Sequence, residues 1–401
     1  MPHLRAGHDL VLLEGSRAFF PSLAQAIEAA TDEVRLETYI FDFTGASEEV
    51  AYALERAARR GVAVMVLVDG VGCPEIPGVW QLRFQAVGVQ WETYSPPGMF
   101  GLLVPGQWRR LHRKLCVVDG VVGFCGGINI LDDYHDPNWG ALESPRLDFA
   151  VRVTGPLVEQ MHLTMTRQWR RQQMVSRLKH ARLTGALASL RSAVAYPASA
   201  PATVQESARG GSKAALVLRD NVRNRARIEQ AYRRAIGRAR EEIIIANAYF
   251  VPGRKLRRAL VQAARRGVKV ILLLQGRYEY FLQYYAVRSV FGALLRAGVE
   301  IHEYSPSFLH CKVAVVDRNW ATVGSSNLDP LSLLLAREAN VVVEDSAFAL
   351  QLRGRLVEAM RSDGVRMDAT QYERRPPSQR FKEWLALVLM RIGLAIQGKK
   401  Y

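Results

Sequence analysis

Two stretches of this 401-residue chain carry the same polar residues at the same spacing. In "LHRKLCVVDGVVGFCGGINI" (111–130), His112, Lys114, Asp119 and Asn129 each stand 198 positions before His310, Lys312, Asp317 and Asn327 of "LHCKVAVVDRNWATVGSSNLDP" (309–330). In an extended strand, residues two apart project to one face, so each histidine stands beside its lysine while Arg113 and Cys311 point away. An imidazole beside an ammonium suits a phosphate. The histidine can attack phosphorus or move a proton, and the lysine can neutralise non-bridging oxygens. Asn129 and Asn327 add hydrogen-bond donors, and Gly126, Gly127 and Gly324 are expected to let the backbone approach the substrate. These eight matched residues form the candidate catalytic set. Asp119 and Asp317 also fit a second role, because "VVDGVVGF" and "VVDRNWATVG" look like hairpin corners where Asp forms turns. No carboxylate pair or Asp/His cluster at metal-ligand spacing accompanies them, so chemistry without a metal or other cofactor is expected.

The copying continues upstream, where "RAARRGVAVMVLVDG" (56–70) matches "QAARRGVKVILLLQG" (262–276) and "GVQWETYSP" (88–96) matches "GVEIHEYSP" (298–306). "LETYIF" (36–41) has a counterpart in "IANAYF" (245–250). A period of about 200 residues is a duplicated domain, not a solenoid repeat. Each copy alternates helical periodicity with apolar strand-like runs, which predicts an α/β fold: two similar halves, each a mixed, mostly parallel sheet flanked by helices, packed face to face with pseudo-twofold symmetry. The expected boundaries are a first domain over 1–192, an Ala/Ser/Pro/Gly-rich linker over 193–216, a second domain over 217–372 and a separate tail over 373–401.

A formal net charge of +16 implies an anionic partner, nucleic acid or an anionic membrane face. No run of 18 apolar residues predicts a span, and the N-terminus does not read as a signal peptide. The tail "FKEWLALVLMRIGLAIQGKK" reads as an interfacial or docked helix, with Phe381, Trp384, Leu385 and Leu389 at helical spacing. The tyrosine-rich "RYEYFLQYYAVRSV" (277–290) fits either packing or a headgroup-level surface, and Met99, Phe100, Leu102, Leu103, Val104 and Trp108 with Arg109 and Arg110 suit a lipid contact. Cys73, Cys116, Cys125 and Cys311 form no CxxC pair and read as small buried thiols. His3, His8, His135, His162, His180 and His302 lack partner copies and read as structural or surface residues.

The doubled HxK, four residues, Asp, then a Gly/Ser-rich stretch and Asn resembles the phospholipase D superfamily. "YSPPGMFGLLVPGQWRRLHRKL", "IIIANAYFVPG" and "NWATVGSSNLDPLSL" extend the resemblance, from about residue 9 to 365, to the bacterial cardiolipin synthases of the B type. That resemblance implies one active site between the halves, a covalent phosphohistidine on one histidine, and the other as general acid and then base. His112 then becomes the nucleophile and His310 the proton donor. Asp148 in "RLDFAV" and Glu338 in "REANVVV" match the acids that orient the histidines in such enzymes. The activity implied is phosphatidyl transfer between two phosphatidylglycerols with release of glycerol, by a peripheral protein on the cytoplasmic face of the bacterial inner membrane. The partners are then phosphatidylglycerol and an anionic membrane surface, and no nucleic acid is expected. Hydrolysis of phospholipid or nucleic acid by the same site, and a basic scaffold with a dead site, are the rival readings. Intact His and Lys in both copies oppose the scaffold.

Overall fold

The structure, a computed structural model, describes residues 3–97, 108–183, 211–220, 224–279, 281–329 and 336–396. Besides short strands at Arg110–Leu111, His135–Asp136 and Gly140–Ala141, the first half builds β1 (Arg5–Glu14), β2 (Glu33–Thr38), β3 (Ala63–Asp69), β4 (Gln90–Tyr94), β5 (Leu115–Val118), β6 (Val122–Gly126) and β7 (Phe149–Thr154). The second repeats them as β8 (Ser212–Arg219), β9 (Glu242–Asn247), β10 (Lys269–Gln275), β11 (Glu300–Tyr304), β12 (Lys312–Val316), β13 (Trp320–Gly324) and β14 (Ala336–Glu344). Strand order is β4-β3-β2-β5-β6-β7-β1 in one half and β11-β10-β9-β12-β13-β14-β8 in the other. The two join where β1 pairs antiparallel with β8, so the order of these strands is symmetric about that seam, and a short strand at Gly364–Arg366 extends the second half beyond β11.

The expectation of mostly parallel sheets needs correction. Among the described strands, parallel pairing is confined to β2-β3-β4 and β9-β10-β11, plus the short alignment of Arg110–Leu111 with β14, with isolated parallel bridges at Phe41–Ile130, Leu147–Leu309 and Phe250–Leu328. Every other pairing in the joined sheet is antiparallel, because the motif strands are hairpins closed by tight turns and only the outer strands are connected by helical crossovers. The linker expectation also shifts. Ser212–Leu216 belongs to β8, which pairs along its length with β14, and the rest of the expected linker lies outside the described residues apart from Gly211. Alternation of buried and less buried side chains along "SKAALVLR" reflects that central strand.

Helices cover the outer faces. Over the first sheet lie α1 (Gly15–Glu28), α2 (Glu48–Arg59) and α3 (Gly78–Val87). In α2 the acids Glu48 and Glu49 open the helix and the bases Arg56 and Arg59 close it, which complements the helix dipole, while Val50, Ala51, Leu54 and Ala57 face the sheet. Between the sheets sits a shared core in which Leu115, Val117 and Val151 meet Val313, Val315 and Val341. The long helix α4 (Leu157–Leu183) contributes Met161 and Met165 to it. On the second half α5 (Arg227–Arg238), α6 (Arg254–Arg265), α7 (Phe281–Arg288) and α8 (Phe291–Leu295) form the outer layer, and α9 (Ser346–Asp363) returns to the shared core through Leu352 and Leu356.

After α10 (Ala369–Glu373), the tail forms α11 (Pro377–Ile396). It docks through Ala386 and Met390, and its buried Glu383 accepts from Arg375 Nη2 at 2.9 Å. Phe381 and Trp384 remain 58% exposed, with Leu389 and Ile392 on the open side as well. Lys382 stands over the Tyr285 ring of α7, which joins the tyrosine-rich stretch to the tail. Among the described residues no helix is long and apolar enough to cross a membrane. All four cysteines are free and buried, and burial pushes the Cys73 thiol up to about 11.

Candidate active site

Each motif histidine is set by the opposite half. Arg110–Leu111 runs parallel to β14, so the His112 amide donates to the carbonyl of Arg337 at 3.0 Å. The next residue along β14 is Glu338, and its carboxylate reaches His112 Nδ1 at 3.2 Å. In mirror fashion the His310 amide donates to the carbonyl of Leu147 at 3.0 Å, and the adjacent Asp148 holds His310 Nδ1 at 2.6 Å. Backbone pairing across the interface thus fixes both imidazoles before any side chain is considered.

The carboxylates are themselves braced. Ser325 Oγ donates to Glu338 at 2.5 Å, and Phe149 N donates to Asp148 Oδ1 at 2.8 Å. Glycines of the motif make room for this packing. A Cβ on Gly127 would overlap the Asp148 carboxylate, one on Gly126 would overlap β7, and one on Gly324 would overlap Asn340. The expectation that these glycines admit substrate is therefore corrected: they admit the neighbouring strand and the orienting acid.

Both histidines border one cavity of about 820 Å³ between the halves, together with Asn129, Asn327, Asp148 and Glu338. Asn129 Oδ1 accepts from Ile40 N at 3.1 Å, whereas Asn327, 5% exposed, has no partner on Oδ1 among the described residues. Lys114 Nζ donates to the carbonyl of His112 at 2.9 Å, and Lys312 Nζ donates to the carbonyl of His310. Burial drives Lys114 down to about 7 and lowers Lys312, although the nearby carboxylates oppose it. Burial also lowers His112, and it takes His310 well below its ordinary range with help from Lys312 and Lys114. Asp148 is pushed by burial up to about 6 against the pull of Lys312. For Glu338 burial works in the same upward direction, but His112, Lys114 and the Ser325 hydroxyl outweigh it and bring the carboxyl down. Two ammoniums held dry beside two imidazoles gain most from an incoming phosphate, which restores the solvation they have lost.

Asp119 and Asp317 are elsewhere. Each sits at positive φ (50° and 49°) in its hairpin turn and lines no part of this cavity. Asp119 accepts from the amides of Thr31, Asp32 and Glu33, each at 2.9 Å, and Asp317 accepts from those of Arg240, Glu241 and Glu242 at 2.8 to 3.0 Å. Their place in the catalytic set is corrected to that of turn residues that tie each hairpin to the start of β2 or β9.

Several wall residues escaped the sequence reading. The Tyr39 ring lies 5.0 Å from that of His112 and beneath Lys114 Nζ. Arg146, Tyr249 and Glu279 also line the cavity, as do Trp108 and Arg110 from the expected lipid-contact stretch, whose residues 98–107 lie outside the described residues. Tyr39 and Tyr249 stand in the matched segments "LETYIF" and "IANAYF", which was a usable signal, since both segments end at the C-terminal side of parallel strands. His135, His162 and His302 do not line the cavity. His162 instead bonds Glu33.

A family model described as "Cardiolipin synthase, PLD-like domain" matches residues 23–142 and 232–360. The chain is 35% identical over 405 aligned residues to cardiolipin synthase B of Escherichia coli, covering 98% of this chain and 90% of that protein. It is 30% identical to a cardiolipin synthase of Geobacillus kaustophilus, covering 96% of this chain and 72% of that protein. Among solved structures it resembles the phosphatidylserine synthase of Haemophilus influenzae, with a TM-score of 0.68 at 13% identity over 97% of this chain and 96% of that one. Likeness at that identity concerns the fold alone, and it agrees with the doubled sheet. Two matched segments of the family model, each holding one motif lysine and one histidine of the shared cavity, make this chain a member of the phospholipase D-like cardiolipin synthase family.

Proposed function

We propose that the protein is a cardiolipin synthase, transferring the phosphatidyl group of one phosphatidylglycerol to another through a phosphohistidine. The observation that carries this reading is the meeting of His112 and His310 in one cavity, each held at Nδ1 by a carboxylate from the other half. With Nδ1 so engaged, the second ring nitrogen of each is the reactive one. His112 attacks phosphorus, the P–O bond to the headgroup glycerol breaks, and His310 gives that oxygen its proton. In the second step a hydroxyl of the acceptor phosphatidylglycerol gives its proton to His310. Its oxygen bonds to phosphorus and the P–N bond to His112 breaks, leaving cardiolipin. Lys114, Lys312, Asn129 and Asn327 carry the phosphoryl oxygens. No step calls for a cofactor.

Apolar wall residues such as Leu131, Phe308 and Trp108 suit lipid, and they favour it over nucleic acid as the occupant. The exposed Phe381 and Trp384 of α11, with a net charge of +16, support peripheral attachment to an anionic surface, which for this reading is the cytoplasmic face of the bacterial inner membrane. Incubating pure protein with phosphatidylglycerol vesicles and analysing the lipids by mass spectrometry tests the reaction. Cardiolipin and free glycerol in equal amounts are expected. Phosphatidic acid as the sole product would mean a hydrolase.

A further inference from the structure

The catalytic groups are nearly twofold symmetric, yet a transferase must tell its donor from its acceptor. The cavity wall breaks the symmetry at several places, two of them in the half that carries His310. "LVDGVGC" after β3 corresponds to "LLQGRYE" after β10, so Glu279 stands where the first half has Cys73. "LETYIF" corresponds to "IANAYF", so Tyr249 stands where the first half has Ile40. Glu279 and Tyr249 both line the cavity, at the C-terminal ends of β10 and β9 in the half that carries His310. The Tyr249 hydroxyl donates to Glu279 Oε2 at 2.5 Å.

Glu279 also differs from Asp136, Asp148 and Glu338 of the same cavity. Asp136 accepts from Arg146 on one oxygen and from the amides of Asn138 and Trp139 on the other. Asp148 and Glu338 are committed on both oxygens to the histidines and their braces. Glu279, half-buried, makes no hydrogen bond among the described residues beyond that from Tyr249, which leaves Oε1 open to accept. A carboxylate oxygen facing a cavity of this size is costly to leave dry and is well matched to a hydroxyl donor.

We propose that Glu279, buttressed by Tyr249, is the acceptor-selecting residue: it accepts a hydrogen bond from the hydroxyl adjacent to the attacking one on a polyol headgroup. Anchored there, the attacking hydroxyl faces His310, which takes its proton as the oxygen displaces His112 from phosphorus. The assignment rests on the transfer reaction proposed above and adds its specificity, a preference for vicinal diols over monohydric alcohols. A site built to satisfy a buried polar group discriminates strongly against a ligand that leaves the group unpaired.

The test is competition between acceptors. Parent protein, Glu279→Gln and Tyr249→Phe are given short-chain phosphatidylglycerol as donor with glycerol and 1-propanol at equal concentration, and the two transfer products are quantified. The parent is expected to favour glycerol. In Glu279→Gln the glycerol to propanol product ratio is expected to fall about tenfold, the size of one lost charge-assisted hydrogen bond, and in Tyr249→Phe by less in the same direction. An unchanged ratio in Glu279→Gln, or equal loss of both products from protein with unaltered thermal unfolding, overturns the assignment. Adding ethanolamine as a third acceptor covers the other chemistry a carboxylate suits, and selective loss of its product with the glycerol product intact also overturns it. A parent protein that consumes the donor yet makes no transfer product removes the underlying transferase reading itself.

Discussion

His310 Nδ1 lies 2.6 Å from Asp148 Oδ2, across 162 positions of sequence and from the opposite half of the molecule. Its mirror, His112 with Glu338, spans 226 positions. Neither half contains a complete histidine and acid pair, so on the proposed reading catalysis and the docking of the halves are one property. A carboxylate at Nδ1 sets the tautomer and steadies the imidazolium.

His112→Ala and His310→Ala are each expected to abolish transfer while the protein still unfolds cooperatively, and the double variant should be no worse than either. Asp148→Asn and Glu338→Gln should lower kcat by at least about 100-fold with little change in KM, as expected for groups that act through the histidines. Steady-state kinetics decide this. Substantial activity in either histidine variant would show that the two motifs do not serve one site.

Asp119 and Asp317 should behave in the opposite way. Each ties three backbone amides from a turn at positive φ, so replacement by Ala is expected to cost about 2 kcal/mol or more of stability. Folded protein at low temperature should keep its KM and most of its kcat. Denaturant titration read beside kinetics separates the two effects, and a large kcat loss without a stability loss would return these acids to the catalytic set.

Asp148 and Lys114 each contribute a limb to the pH profile. His310, which must carry a proton to act as acid although burial holds it well below its ordinary range, adds to the alkaline one. Asp148 must be ionised to hold His310, and with its carboxyl near 6 activity should fall as pH drops through that region. Lys114 must be protonated to meet phosphate, and with its ammonium near 7 the free enzyme should lose kcat/KM as pH rises through neutrality. A bell-shaped kcat/KM with a narrow top between those limbs is expected. In kcat the alkaline limb should move up, because bound phosphate favours the charged lysine. A kcat/KM flat from pH 5 to 9 would contradict both assignments.

With two lysines and two asparagines proposed to carry the phosphoryl oxygens, exhaustive treatment with EDTA should leave the transfer rate within about twofold of the untreated value. Loss restored only by a divalent cation would reassign that role to a metal.

Vesicle binding should depend on α11, whose docked face is separate from its exposed one. Phe381→Ala combined with Trp384→Ala leaves Ala386 and Met390 in place, so folding should be preserved while sedimentation with anionic vesicles drops. The parent's binding should also weaken, but not vanish, between low and high salt, since charge is screened and apolar insertion is not. Equal binding to neutral and anionic vesicles by both proteins would reassign the helix to packing alone.

Sequence by itself determined the duplication, the alternating strands and helices, and the His, Lys and Asn of each motif, because a period of two along a strand and a fixed offset between copies are local, countable properties. It also left Asp119 and Asp317 between two roles, since a turn-forming Asp and a catalytic one look the same in a string of letters; only the amides gathered around them settled their place. Antiparallel pairing of the inner strands and the entry of Ser212–Leu216 into the sheet depended on which strands meet, and the letters do not carry that. The pairing of each histidine with the other half's acid, and the gathering of Tyr39, Arg146, Tyr249 and Glu279 around one cavity, are products of long-range backbone pairing. A residue's contact across more than 150 positions is decided by how two sheets share a core, and that is a property of the whole chain at once.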